Sequence, residues 1–98
     1  MKTEIEFKGL KSSVTLSQQV NREIDKIAKK FDWVEHTIIY LVKDNGIDSS
    51  CVCELEVRSG TTPNIFIKES NGKFEVAIAK AFDVLERQLR KAKNKVVH

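Results

Sequence analysis

Two cysteines, two histidines and scattered carboxylates are the side chains with the most reactive chemistry in this 98-residue chain. Cys51 and Cys53 are spaced i, i+2, so on a strand their thiols face the same way. A zinc site usually takes four ligands. The only histidines are His36 and His98, one in an early strand and one at the chain end. No motif sets His36 against either thiol as a nucleophilic pair. Buried packing thiols are the expectation, with no metal and no cofactor. The carboxylates alternate outward along strands, which suits solvation or cross-strand pairing better than an acid/base dyad. There is no glycine-rich phosphate loop. No enzyme is expected, and no small-molecule substrate.

The remaining chemistry is cationic. Net charge is +3, from 17 basic and 14 acidic residues. Residues 1–50 carry eight basic and eight acidic side chains, whereas residues 51–98 carry nine and six. From Arg87 to His98 there are five basic residues and no acidic one. A basic end on a neutral body is what a polyanion-facing surface looks like. A solvated helix end, whose cations favour the negative pole of the helix dipole, explains the charge alone equally well.

These residues need elements to position them. Hydrophobic residues make up 41% and charged residues 32% of the chain, the balance of a soluble globular protein. The length suits one compact domain, and without repeat, low-complexity tract or linker residues 1–98 are read as that domain. No apolar run approaches the roughly 20 residues that span a membrane. The start, Met1-Lys2-Thr3-Glu4-Ile5-Glu6, alternates charged with apolar residues where a secretory signal needs a continuous apolar stretch. With two cysteines and no such signal, a cytoplasmic location is expected.

Residues 3–8 alternate as a half-buried strand, with Ile5 and Phe7 on one side and Glu4, Glu6 and Lys8 on the other. Thr15 and Gln18 resemble a capping box, and Leu16, Val20, Ile24, Ile27, Ala28 and Phe31 then recur at helical spacing to about residue 31. Strand chemistry fills Val34 to Lys43, and Asp44-Asn45-Gly46 turns the chain. Cys51, Cys53, Leu55 and Val57 share one face of the next strand. Val52, Glu54, Glu56 and Arg58 share the other. Residues 59–63 make another turn, 64–69 another strand, and Asn71-Gly72 a break. Phe74, Ile78, Phe82, Leu85, Leu89 and Val96 line a long helix over about 73–95. Tyr40 and Trp33 are expected in sheet and core-edge packing.

The order is β-α-β-β-β-α. Both helices must bury their stripes, so the expected fold is α+β in two layers, a four-stranded sheet with both helices on one face. On the second helix Lys80, Arg87 and Lys91 form one stripe opposite the apolar face, with Lys95 nearby and Arg90 and Lys93 on a flank. On the first, Arg22, Lys26 and Lys29 stand at i, i+4, i+7. Both helices therefore present a basic ridge, while the open sheet face carries Glu4, Glu6, Glu54 and Glu56 with Lys8 and Arg58. Reading single-stranded RNA on a sheet needs exposed aromatics there. Phosphate contact is thus expected on the helix side.

The chain resembles the ribosome hibernation promoting factor family, which includes the ribosome-associated inhibitor. The likeness rests on Val14-Thr15, on Lys26 through Lys29-Lys30-Phe31-Asp32, and on Ala77-Ile78 followed by Leu85-Glu86-Arg87-Gln88-Leu89-Arg90-Lys91-Ala92-Lys93-Asn94-Lys95. It covers essentially the whole length and matches the short form, which lacks both the C-terminal dimerisation domain and the extended tail of the inhibitor branch.

The resemblance implies a fold like the double-stranded-RNA-binding domain and a protein that is monomeric off the ribosome. It implies binding to the small ribosomal subunit between head and body, across the messenger and transfer RNA positions, which idles the ribosome under stress or in stationary phase. It implies ribosomal RNA contacts by the basic residues of both helices: Arg22, Lys26, Lys29, Lys80, Arg87, Arg90, Lys91, Lys93 and Lys95. The chain departs from the family at Lys73-Phe74-Glu75-Val76-Ala77-Ile78-Ala79, where many members begin the helix with Asp-Met-Tyr, and at Glu23, where lysine is common. A diverged member acting as a protein-interaction or double-stranded-RNA-binding module without ribosome binding is the alternative.

Overall fold

The computed structural model describes residues 1–46, 50–60 and 62–96, with side chains described to residue 93. Six elements follow in the expected order: β1 (Lys2–Lys8), α1 (Val14–Lys30), β2 (His36–Lys43), β3 (Cys51–Arg58), β4 (Ile65–Asn71) and α2 (Phe74–Val96). The sheet order is β1-β2-β3-β4. β1 and β2 are parallel, which requires α1 to carry the chain back between them. β2, β3 and β4 are joined antiparallel.

Alternation decides which side of the sheet is dry. Ile5, Ile39, Leu55 and Ile67 stand in one row across all four strands, and Phe7, Leu41 and Cys53 in the next. The apolar stripes of both helices close on that side: Leu16, Val20, Ile24 and Ile27 from α1, and Ala77, Ile78, Ala81, Phe82, Leu85 and Leu89 from α2. Both helices therefore cover one face. Alanines at 77 and 81 let α2 sit close to the strands. Among the described residues no buried side-chain nitrogen or oxygen lacks a partner.

Two local details differ from the sequence reading. The cap of α1 is Ser13, not Thr15. Its extended backbone turns its hydroxyl to accept from the Leu16 amide at 3.2 Å. That starts the helix at Val14 and leaves Thr15 inside the first turn. β4 runs on to Asn71, whose side-chain carbonyl accepts from the Lys73 amide at 3.2 Å as the chain swings into α2. Tyr40 packs on the open face of the sheet, half-buried, with Lys8 Nζ 4.7 Å from its ring centroid. Trp33 packs edge-on to Phe31 at the core margin, centroids 6.2 Å apart. The Asp44 turn closes by a 3.0 Å bond from the Gly46 amide to its carboxylate. No described helix is long and apolar enough to cross a membrane.

Candidate nucleic-acid interface

The two helices lie side by side and run the same way. Gln19 Nε2 donates to the Glu75 carbonyl at 2.9 Å near their starts, and Lys30 Nζ reaches Glu86 Oε1 at 2.6 Å near the end of α1. Both contacts join residues 56 apart in sequence. A constant offset over eleven residues of each helix means parallel axes in fixed register. α1 stops at Lys30 beside Glu86, so the run from Arg87 onward continues past it.

Eight of the nine expected contact residues are exposed on this helical layer: Arg22, Lys26 and Lys29 on α1, and Lys80, Arg87, Arg90, Lys91 and Lys93 on α2. The backbone of Lys95 belongs to α2, but its side chain lies outside the described residues, as do that of Val96 and the whole of His98.

The cations fall into two sets. One is neutralised by neighbouring acids. Lys26 pairs with Glu23 at 3.5 Å, Arg87 with Asp83 at 2.5 Å and Arg90 with Glu86 at 3.3 Å. Lys30, absent from the expected contacts, shares Glu86 with Arg90. The Lys30 hydrogen bond holds the Glu86 carboxyl below its ordinary range, helped by the charges of Lys30, Arg90 and Lys26 and opposed by partial desolvation. Glu23, Lys26, Lys30, Asp83 and Glu86 line a groove of about 310 Å³ between the helices. The other set is Arg22, Lys29, Lys80, Lys91 and Lys93, which form no ion pair among the described residues. Helical spacing points Arg22 and Lys29 outward from α1, and Lys80 and Lys91 outward from α2. The layer is thus a mixed-charge groove flanked by unneutralised cations.

What such a surface can offer a phosphate is charge. Exposed ion pairs are worth little, about 0–1 kcal/mol, so a phosphate can compete for Lys26, Arg87 or Arg90. Lysine and arginine ridges on a rigid two-helix frame fix the spacing of those contacts.

The thiols take no part. Cys51 and Cys53 are buried and free, and burial pushes the Cys53 thiol up to about 12, with Glu54 adding to the shift. Among the described residues no three His, Cys, Asp or Glu side chains gather where a metal could bind.

The sequence matches, over residues 3–97, the family described as Sigma 54 modulation protein / S30EA ribosomal protein. No curated protein matches it. Among solved structures, a ribosomal subunit interface protein from Coxiella burnetii superimposes with a TM-score of 0.85 at 16% identity, over 96% of this chain and 99% of that one. The N-terminal domain of Thermus thermophilus Protein Y superimposes with a TM-score of 0.79 at 17% identity, over 93% and 98%. At these identities the likeness is one of fold. The β-α-β-β-β-α order and four-stranded mixed sheet are common to them.

Proposed function

The chain belongs to the Sigma 54 modulation protein / S30EA ribosomal protein family, and from that premise we propose that residues 1–98 act as one ribosome-binding unit that silences translation by occupancy. The helical layer docks on ribosomal RNA of the small subunit, near the decoding region. There it blocks messenger and transfer RNA, as a hibernation factor active under stress or in stationary phase. The protein works in the cytoplasm, where ribosomes are, and is a monomer when not bound.

One observation supports this reading above the rest: five unneutralised cations stand on two parallel helices held in fixed register. Several Lys/Arg–phosphate contacts release counterions, so affinity falls steeply with salt. Fit to the shape of folded RNA supplies specificity. The name of one structural relative, ribosomal subunit interface protein, agrees with such a place of action.

The test is co-sedimentation with small subunits and whole ribosomes on sucrose gradients at low and high salt. The expected result is stoichiometric migration with the small subunit that salt abolishes. The R87E/R90E/K91E variant should stay at the top of the gradient with unchanged circular dichroism. Wild-type protein left at the top at low salt overturns the proposal.

A further inference from the structure

The sheet face away from the helices is not a plain solvent face. Its residues stand in two central rows set by the strand register. One row is Glu6, Tyr40, Glu54 and Lys68; the next is Glu4, Ile38, Glu56 and Phe66. In each row two glutamates, one on β1 and one on β3, flank an apolar or aromatic residue of β2. The glutamates sit two strands apart, about 10 Å. Ile38 and Val52 are buried on this face although neither belongs to the main core. Phe66 is 67% exposed near the start of the edge strand β4. Tyr40, Glu54, Glu56, Phe66 and Lys68 line a shallow groove of about 240 Å³.

The charges of this face are partly matched. Arg58 pairs with Glu56, and His36 Nε2 lies 2.7 Å from Glu4. Lys2, Lys8, Arg58 and Lys68 stand around the rim. Glu6 and Glu54, on either side of Tyr40, form no ion pair among the described residues. Lys8 Nζ lies 4.7 Å from the centroid of the Tyr40 ring, so the ring at the centre of the face already takes a cation on its π-surface.

We propose that this face docks an extended, arginine-bearing protein segment, a guanidinium settling over Tyr40 between Glu6 and Glu54 and an apolar side chain covering Phe66. Arginine fits because its plane stacks on an aromatic ring while its edge meets carboxylates. Paired carboxylates around the ring repel phosphates, and single-stranded nucleic acid needs a cationic groove beside its stacking aromatics. A second copy is a poor occupant, since Phe66 alone offers far too little apolar area for a stable homodimer. The proposal shares no residue with the helical surface, so it stands or falls apart from ribosome binding. It would leave the protein able to touch RNA with one face and protein with the other.

The experiment follows backbone amide shifts of the ¹⁵N-labelled chain during titration with an octapeptide of alternating arginine and leucine. Its glutamate–leucine counterpart and a short RNA duplex serve as controls. Saturable shifts centred on Tyr40, Glu54 and Phe66, absent with the counterpart, are expected. E6Q/E54Q should weaken binding at least tenfold. F66S, a second and purely apolar change, should weaken it several-fold, and circular dichroism should show both variants folded. Shifts centred on Asp83 and Glu86, equal binding by both folded variants, RNA shifting the sheet face, or a wild-type dimer abolished by F66S would each overturn the proposal.

Discussion

Lys30 Nζ sits 2.6 Å from Glu86 Oε1, joining the last residue of α1 to the middle of α2. Glu86 also takes Arg90 at 3.3 Å, so one carboxylate gathers cations from both helices. The pair is partly exposed, with side chains 52% and 25% accessible. Its coupling energy in a K30M/E86Q double-mutant cycle should therefore be no more than about 1 kcal/mol. The sign of its pH dependence is fixed. A carboxyl held below its ordinary value contributes stability that is complete above the unfolded value, about 4.3, and is lost as pH falls through the folded value. Urea unfolding of wild type and E86Q should thus converge on acidification and separate near neutral pH.

Removing that carboxylate should also strengthen RNA binding. E86Q releases Lys30 and Arg90 for phosphate, at the cost of a weak link between the helices. Affinity for small subunits should rise several-fold at low salt, with the gain shrinking as salt increases. Filter binding across a salt series reads both effects. A loss of affinity in a folded E86Q protein would mean that the groove acts by shape and not by charge.

Cations differ in how much they have left to give. Lys29 and Lys91 carry no intramolecular partner among the described residues, whereas Lys26 is already paired with Glu23. K29A and K91A should each weaken ribosome binding and lower the slope of log K against log salt by about 1. K26A should change both by less. Comparable losses from all three would show that the Glu23 pair does not persist in solution.

Much of this arrangement was legible beforehand, and the failures are local. The dry sheet face followed from the two-residue alternation of Cys51, Cys53, Leu55 and Val57, and both helices from apolar stripes at 3.6-residue spacing. Helical spacing also offered the i, i+4 pairs Asp83–Arg87 and Glu86–Arg90, whose acids temper the basic cluster. Lys30–Glu86 was not legible, because it joins residues 56 apart and depends on how the two helices are set against each other. The Ser13 cap was missed because Ser12, Ser13 and Thr15 all have capping chemistry, and only the backbone angles separate them. Phe66 was missed because β4 is short and mixed. The alternation there places Ile65 and Ile67 inward and leaves the largest side chain outside.

The thiols should behave as packing groups. Burial holds the Cys53 proton on well above neutral pH, which removes the reactive thiolate. A disulfide-exchange reagent should label neither cysteine appreciably in native protein at pH 7.5 and both within the unfolding time in denaturant. Cys53→Ser should cost about 1–3 kcal/mol, since it places a hydroxyl in a fully buried apolar site. Fast native-state labelling would show that the sheet opens far more readily than its packing implies.

At Gly9 two independent features make alanine costly. It follows β1 with φ at +78°, a conformation that side chains rarely adopt. An added Cβ would also stand 2.7 Å from the Lys43 carbonyl oxygen, a backbone atom that cannot swing away as a side chain would. Left-handed backbone alone costs an L residue about 1–2 kcal/mol, and the contact adds to it. Gly9→Ala should therefore lower unfolding free energy by about 2–3 kcal/mol with an unchanged urea slope, the sign of lost stability rather than altered compactness. Gly72 supplies the control. A Cβ there meets nothing within 4 Å, so Gly72→Ala should be near neutral. Gly9 lies at the sheet end and away from the cationic helices, so folded Gly9→Ala protein should still migrate with small subunits. Equal melting of the two alanine variants would contradict the close approach of the β1 exit to the end of β2, and with it the parallel pairing that sets the sheet order.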